Sequence, residues 1–345
     1  MPPSGSHREL RFDDVVSAYR WILGREPEST AIIAEQALAG GDIERLRAML
    51  LESPEFRSAF LNLDTGKSFA LADSAHQQSL GDRFVFLHIP RSGGTSLHHM
   101  LSAAVGARNV CEARHNNLWR CLAGDLAPLR LFSGHYDRHC LALIPGRQIK
   151  VVTVLREPRS RLVSLYDYLR SHRPETAAPG KLELAEAARK YSLGDFLDAA
   201  MEINPAAVDN TCLRAFGGRL PLRRWEQSAE PGAPKALADQ GCSVETLYQR
   251  AEEFLRGMTA VGILEQFEAS ARAIFAALGL DAPPPSPALH RLVDVAEENP
   301  TFEPVQPSSV TPADAERLAA LTQYDAQLYE MGKALLSASL QTRAD

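Results

Sequence analysis

The 345-residue chain has no long apolar run: nothing in it approaches the roughly 20 residues that a membrane-spanning helix needs. Residues 1–10 lack the apolar centre of a secretory leader. Positive charge is not in excess either. Lys and Arg number 37 against 43 Asp and Glu, a formal charge of -6, so no whole-chain field draws the protein to nucleic acid. Cysteine is sparse and scattered. Cys111, Cys121, Cys140, Cys212 and Cys242 lack the close spacing of a zinc site, and an odd, dispersed set makes no disulfide framework. These absences lead us to expect a cytoplasmic chain without metal, in which any anion site is built locally from a few arginines and backbone amides.

What is present is ordinary globular composition, 45% hydrophobic and 23% charged, in a length that allows one large domain and a small one. Residues 1–62 read as a small helical domain. Val15, Val16, Tyr19, Ile22 and Leu23 share one helical face, and Ser53-Pro54-Glu55 has the form of a helix start. The segments Tyr19 to Pro27 and Ser53 to Phe56 resemble a small bacterial helical domain attached to sugar-modifying or surface proteins, and carry no evident chemistry. Residues 63–81 read as a polar linker, and 82–338 as the main domain. There, Phe84–Leu87 and Val151–Leu155 are short buried-strand runs, with further strands expected at Leu131-Phe132 and Ala260–Ile263. Helical patterns fall between them, at Leu97–Val105, Leu162–Leu169 and Phe267–Leu278, and a C-terminal helix is expected from about 312 to 336. Alternation of this kind implies an α/β fold with a parallel sheet flanked by helices, of the P-loop-NTPase-like type. Stretches 171–190 and 219–243 read as polar surface insertions, and Pro283 to Pro287 as a stiff connector.

Two strand-to-helix turns carry chemistry. In the first, Arg91-Ser92-Gly93-Gly94-Thr95-Ser96 follows a buried strand and opens a helix. Glycines let an anion approach backbone N–H groups at a helix start, the hydroxyls can add bonds, and Arg91 adds charge. An ATP-type loop would place Lys before Thr95, where this chain has Gly94. No strand clearly ends in an Asp for Mg²⁺ either, so a nucleotide kinase is the weaker reading. In the second turn, Arg156 stands at the end of a strand and Ser164 lies two helical turns on. Arg156 can offer a bidentate fork to phosphate. By spacing alone, a helix-capping or ion-paired Arg156 with a surface Ser164 fits equally well.

Together the two segments resemble the cofactor motifs of the membrane-type, carbohydrate-directed sulfotransferases related to heparan sulfate 2-O-sulfotransferase. Ser133-Gly134-His135-Tyr136 is similar to that family's Gly-His segment, and Asp209 to Arg214 to its Asp-Asn-x-x-x-Arg segment. Val261 to Phe267 and Tyr324 to Tyr329 continue the likeness, which covers about residues 83–335. The resemblance implies sulfuryl transfer from 3′-phosphoadenosine-5′-phosphosulfate (PAPS, leaving PAP) to a hydroxyl of a glycan or other acceptor. Arg91 to Ser96 would cradle the 5′-phosphosulfate, and Arg156 with Ser164 would hold the 3′-phosphate. The family usually has Lys where this chain has Arg91, which keeps the charge but not the geometry. His135 would be the base, since a neutral imidazole suits proton removal near pH 7. His88 and His139 are read as structural. Arg219, Arg223, Arg224 and Trp225, with Arg170, His172 and Arg173, are candidates for an acidic acceptor. The rival readings are a small-molecule kinase and a nucleotide-binding module without turnover.

Overall fold

The structure, a computed structural model, describes residues 10–23, 25–38, 43–56, 82–114, 118, 121, 123–145, 149–175, 183–218, 243–284 and 301–341. Its centre is an all-parallel sheet of β1 (Arg83–Leu87), β2 (Leu131–Gly134), β3 (Ile149–Leu155) and β4 (Ala260–Ile263), in the order β2-β1-β3-β4. Val85 pairs with Val151, Phe86 with Ser133 and Leu155 with Ile263. All five residues of β1 are buried, which fits a parallel strand covered on both faces. The pleat sends Phe84 and Phe86 to one apolar cluster and Val85 and Leu87 to the other.

Four N-terminal helices come first: α1 (Phe12–Ala18, continued by a π-helical turn Tyr19–Leu23), α2 (Thr30–Leu38), α3 (Ile43–Glu52) and α4 (Pro54–Phe56). Ser53 Oγ accepts from Phe56 N at 3.1 Å, the cap expected there. Val15, Tyr19, Ile22, Leu46 and Phe56 belong to the same continuous cluster as Leu118, Leu126, Cys140 and Leu141 of the larger unit, and Arg47 Nη1 donates to Leu118 O at 3.3 Å. The 63–81 linker lies outside the described residues, so the proposed domain boundary is carried by the sequence, while the core runs across it.

In the larger unit α5 (Gly94–Val105) follows β1, α6 (Ala123–Leu126) precedes β2, and α7 (Pro158–Arg170) follows β3. Then come α8 (Glu183–Lys190), α9 (Leu193–Ile203), α10 (Pro205–Val208), α11 (Thr211–Gly217) and α12 (Val244–Arg256). After β4 stand α13 (Phe267–Leu278), α14 (Pro312–Leu321) and α15 (Gln323–Gln341). Helices α5 and α13 cover one face through Leu97, Leu101, Ile274 and Phe275; α11, α12 and α15 cover the other through Leu213, Leu247, Leu255, Leu328 and Leu336. Two expectations need correction. The stretch 171–190 is not only a polar insertion, because α8 buries Ala185, Ala187 and Ala188, giving the segment an apolar stripe. The C-terminal helix is two, parted at the buried Thr322, whose hydroxyl donates to Leu318 O at 2.6 Å. The 219–242 stretch and most of the proline connector lie outside the described residues. Among those described, no helix is long and apolar enough to cross a membrane, and no group of three His, Cys, Asp or Glu could hold a metal.

Candidate functional site

Strand β1 has β2 on one side and β3 on the other, so the chain reverses direction across the sheet between them. Crevices beyond strand C-termini at such a reversal are where open α/β sheets bind ligands. Both turns singled out in the sequence emerge there.

The first turn is shaped to receive an anion. Gly93 caps α5 in the left-handed region (φ 74), and no side chain caps the helix start. The N–H groups of its first turn therefore have no side-chain acceptor. A Cβ on Gly94 would fall inside the His88 ring, and one on Gly93 would strike Leu264 Cδ1, so both positions demand glycine. Ser92 is buried, and among the described residues its Oγ has no hydrogen-bond partner. A buried hydroxyl left unsatisfied in the loop is what a ligand oxygen would complete. Ser96 is buried beside it and Thr95 is exposed. Arg91 itself has φ 66, an uncommon conformation for a side-chain-bearing residue.

The second turn is closed. Glu157 caps α7 with its own carboxylate, accepting from Arg159 N at 3.2 Å and Ser160 N at 2.7 Å. Burial opposes its charge, yet the bonds from Ser160 and Arg159 hold its pKa below the ordinary value. Glu157 N in turn donates to Glu265 Oε1 at 3.0 Å, and Tyr329 OH to Glu265 Oε2 at 3.1 Å. This turn contributes side chains only. Arg156 Nη1 donates to Arg91 O at 3.1 Å, which steadies the left-handed Arg91, and Arg91 Nε donates to Ser164 Oγ at 3.2 Å. The Arg91 guanidinium lies 4.5 Å over the Tyr168 ring. The structure thus brings Arg91, Arg156 and Ser164 into one bonded set. Burial lowers the pKa of Arg91, and that of Arg156 likewise, and among the described residues neither makes an ion pair. Glu265 and Glu157 act on the charge of Arg156 and Asp167 on that of Arg91 without closing an ion pair, so both partly desolvated guanidiniums keep capacity for an anion.

His135 sits just past β2. Its Nδ1 is 2.9 Å from His88 O. A carbonyl only accepts, so the neutral imidazole carries its proton on Nδ1 and its lone pair on Nε2. The His88 ring packs 4.4 Å from that of His135. Burial holds the His88 pKa well below its usual value, with the His135 charge next in effect. His88 was read as structural from sequence, yet its carbonyl orients His135 and its ring fills the space that Gly94 leaves. Nothing in the residue pattern signalled this contact. His139's side chain lies outside the described residues.

Other segments of the resemblance turn out to be fasteners. Asn210 Oδ1 accepts from Tyr324 N and Asp325 N at the start of α15, while the Asp325 carboxylate accepts from Cys212 N and Leu213 N at the start of α11. Asp209 pairs with Arg214. Arg170, His172 and Arg173 are engaged by the 301–308 segment: Arg170 donates to Ser308 Oγ at 2.7 Å, Arg173 Nε to Phe302 O at 3.1 Å, and His172 packs on the Phe302 ring. Arg219, Arg223, Arg224 and Trp225 lie outside the described residues.

Comparison with known proteins adds one relationship. No protein-family model matches the chain. It is 26% identical over 153 residues to a protein-tyrosine sulfotransferase of Arabidopsis thaliana, across 44% of this chain and 28% of that protein. The chain therefore aligns with under a third of that relative's length. The relationship is sulfotransferase-like, and the α/β fold with its four-stranded parallel sheet agrees with it.

Proposed function

We propose that the protein is a PAPS-dependent sulfotransferase acting on a hydroxyl of a carbohydrate. The observation that carries this reading is the joined pair of anion groups: the uncapped start of α5 with the orphaned Ser92 hydroxyl, bonded through Arg91 to Ser164 and Arg156. One anion site would serve any nucleotide; two groups of anion-binding residues joined through Arg91 suit a donor phosphorylated at both 3′ and 5′. The donor, when bound, supplies an activated sulfuryl group. The loop N–H groups, Ser92 and Arg91 hold its 5′ end and take up the negative charge that grows there as the sulfuryl leaves. Arg156 and Ser164 hold the 3′-phosphate. Nε2 of His135 accepts the acceptor hydroxyl's proton, while the His88 carbonyl fixes the ring against rotation.

A tyrosine hydroxyl is the second acceptor reading, favoured by the likeness to the plant protein-tyrosine sulfotransferase. Incubation with ³⁵S-labelled donor and panels of glycans and tyrosine peptides distinguishes the two, and labelled sulfur also separates sulfuryl from phosphoryl transfer. His135→Ala should lower turnover roughly a hundredfold or more with bisphosphate binding near normal. Unchanged turnover would remove His135 from the mechanism.

A further inference from the structure

Helix α7 holds Arg91 by two unlike contacts. Arg91 Nε donates to Ser164 Oγ at 3.2 Å, and the guanidinium lies 4.5 Å over the Tyr168 ring. Ser164 and Tyr168 stand one turn apart on α7, so hydroxyl and ring share a face. The backbone of Arg91 is fixed as well, with its left-handed φ of 66 and its carbonyl bonded to Arg156. Among the described residues its two Nη groups have no acceptor. The fork is thus oriented and unused.

The nearest carboxylate is committed elsewhere. Asp167 is buried and acts on the charge of Arg91. Its oxygens accept from Ser308 Oγ at 2.5 Å and Ser308 N at 3.3 Å, and Arg170 Nη1 lies 3.5 Å away. A carboxylate bonded to Arg91 would cancel its charge and fill the fork that an incoming anion needs. A ring face attracts the cation from one side, leaves its charge uncancelled and takes up no N–H group. The ring is itself fixed. His172 packs on it at 5.0 Å and Phe302 at 5.4 Å, and those two rings are 4.7 Å apart. The neighbours of Phe302 are tied to the end of α7, Arg173 N donating to Thr301 O at 3.0 Å and Glu303 N to Ser171 O at 2.7 Å. Burial raises the Tyr168 pKa, so the phenol is neutral, and among the described residues its hydroxyl makes no hydrogen bond. What Tyr168 gives Arg91 is its π face.

We propose that Tyr168 is a positioning residue whose ring holds the Arg91 guanidinium in place, with charge and fork left free for the donor's 5′-phosphosulfate. This rests on the PAPS reading above, and its test separates the two. It also accounts for arginine at a position where the resemblance leads one to expect lysine. A guanidinium can lie on a ring, donate through Nε to Ser164 and still present two nitrogens, which a single ammonium cannot.

Phenylalanines carrying none, one, two or three ring fluorines, placed at position 168 of the full chain, keep the ring and steadily weaken the negative charge of its face. Calorimetry with adenosine 3′,5′-bisphosphate reads each protein. A weaker hold frees Arg91 in the unliganded protein, and binding then has to order it again. Affinity should fall with each fluorine, to about tenfold below that of Tyr168→Phe at the trifluorinated end. Tyr168→Leu should lose about as much, and Tyr168→Phe should recover most of that loss. In an Arg91→Gln background the dependence on fluorine should vanish. A single affinity across the series overturns the proposal. So does a slope that persists without Arg91, which would put the ring on the ligand itself. Should Tyr168→Leu not fold, the fluorinated series, which retains the ring, still decides. Wild-type protein that does not bind the bisphosphate overturns the donor reading and the proposal with it; binding without the fluorine dependence overturns the proposal alone.

Discussion

The two strand-to-helix turns at the crest look alike in sequence and do opposite things. Both follow a buried parallel strand, both carry an arginine, and both open a helix of similar length. After β1 the helix start is capped by a left-handed glycine with no side-chain acceptor, and a serine hydroxyl is buried without a partner. After β3 the corresponding N–H groups already have Glu157 as their acceptor. A helix start offers its dipole and donors to one acceptor at a time. The first turn therefore leaves its backbone donors open to an outside acceptor, and the second offers only side chains, Arg156 and Ser164. The difference is set by one position, glycine against glutamate at the cap.

The comparison breaks most severely at Gly94. Gly94→Ala places a methyl inside the His88 ring, whose movement is restricted by the His135 ring packed 4.4 Å away. We expect bisphosphate affinity to fall at least a hundredfold, or the protein to melt at a markedly lower temperature, several kcal/mol being typical of forced overpacking at its worst. Calorimetry and a thermal melt on the same sample read both. Binding and stability that stay at wild-type values would mean that the first turn is not the receptor.

Acid should strike the first turn's side of the sheet before the second's. His98 on α5 is buried against Ser133 Oγ and Ser102 Oγ, with Arg114 and His99 adding positive charge nearby, and burial lowers its pKa to about 4. Its folded-state pKa is thus depressed below the unfolded value of about 6.5. The stability it contributes is full above that value and is lost as pH falls from there toward about 4, where the native ring also protonates. A shift of that size is worth on the order of 3 kcal/mol. His98→Gln should flatten the fall in urea-unfolding free energy between pH 7 and 4. An unflattened profile would place the acid sensitivity elsewhere.

Arg156→Ala is the next smaller effect and asks what the second turn contributes. If Arg156 holds the 3′-phosphate, the substitution weakens adenosine 3′,5′-bisphosphate by roughly 1.5–3 kcal/mol and leaves 5′-AMP nearly unchanged. If it serves only to steady the left-handed Arg91 through the carbonyl at 3.1 Å, both nucleotides weaken alike. Competition calorimetry with the two ligands separates these outcomes.

Sequence carried the frame of this site and left its wiring unread. The strands were legible because parallel strands are continuous apolar runs, as in Val151–Leu155, and the first loop because glycines, hydroxyls and charge fall together between strand and helix. The bond from Arg91 to Ser164 spans 73 residues, and no local pattern records it. The same holds for the His88 carbonyl on His135 and for Glu265 beneath the second turn. Glu157 is different in kind. It precedes a proline at the first helical position, where an acidic cap is a readable signal.

Glu157→Ala is the gentlest test and bears most directly on the comparison. Removing the carboxylate frees Arg159 N and Ser160 N, both at a largely exposed helix start where water can replace it. The stability cost should be about 1 kcal/mol, the usual scale for a lost cap. The ligand effect has the opposite sign. Loss of a negative charge next to Arg156, and of competition for two helix N–H groups, should strengthen bisphosphate binding severalfold, since a charge near a helix start counts for about 0.3–1 kcal/mol. Salt should shrink that gain, as it does for any partly exposed charge. A protein less stable yet tighter for the bisphosphate would show that glutamate keeps the second turn from acting as the first does. If affinity instead falls with stability, the carboxylate serves to hold Arg156 in place, and the turns differ in support more than in occupancy.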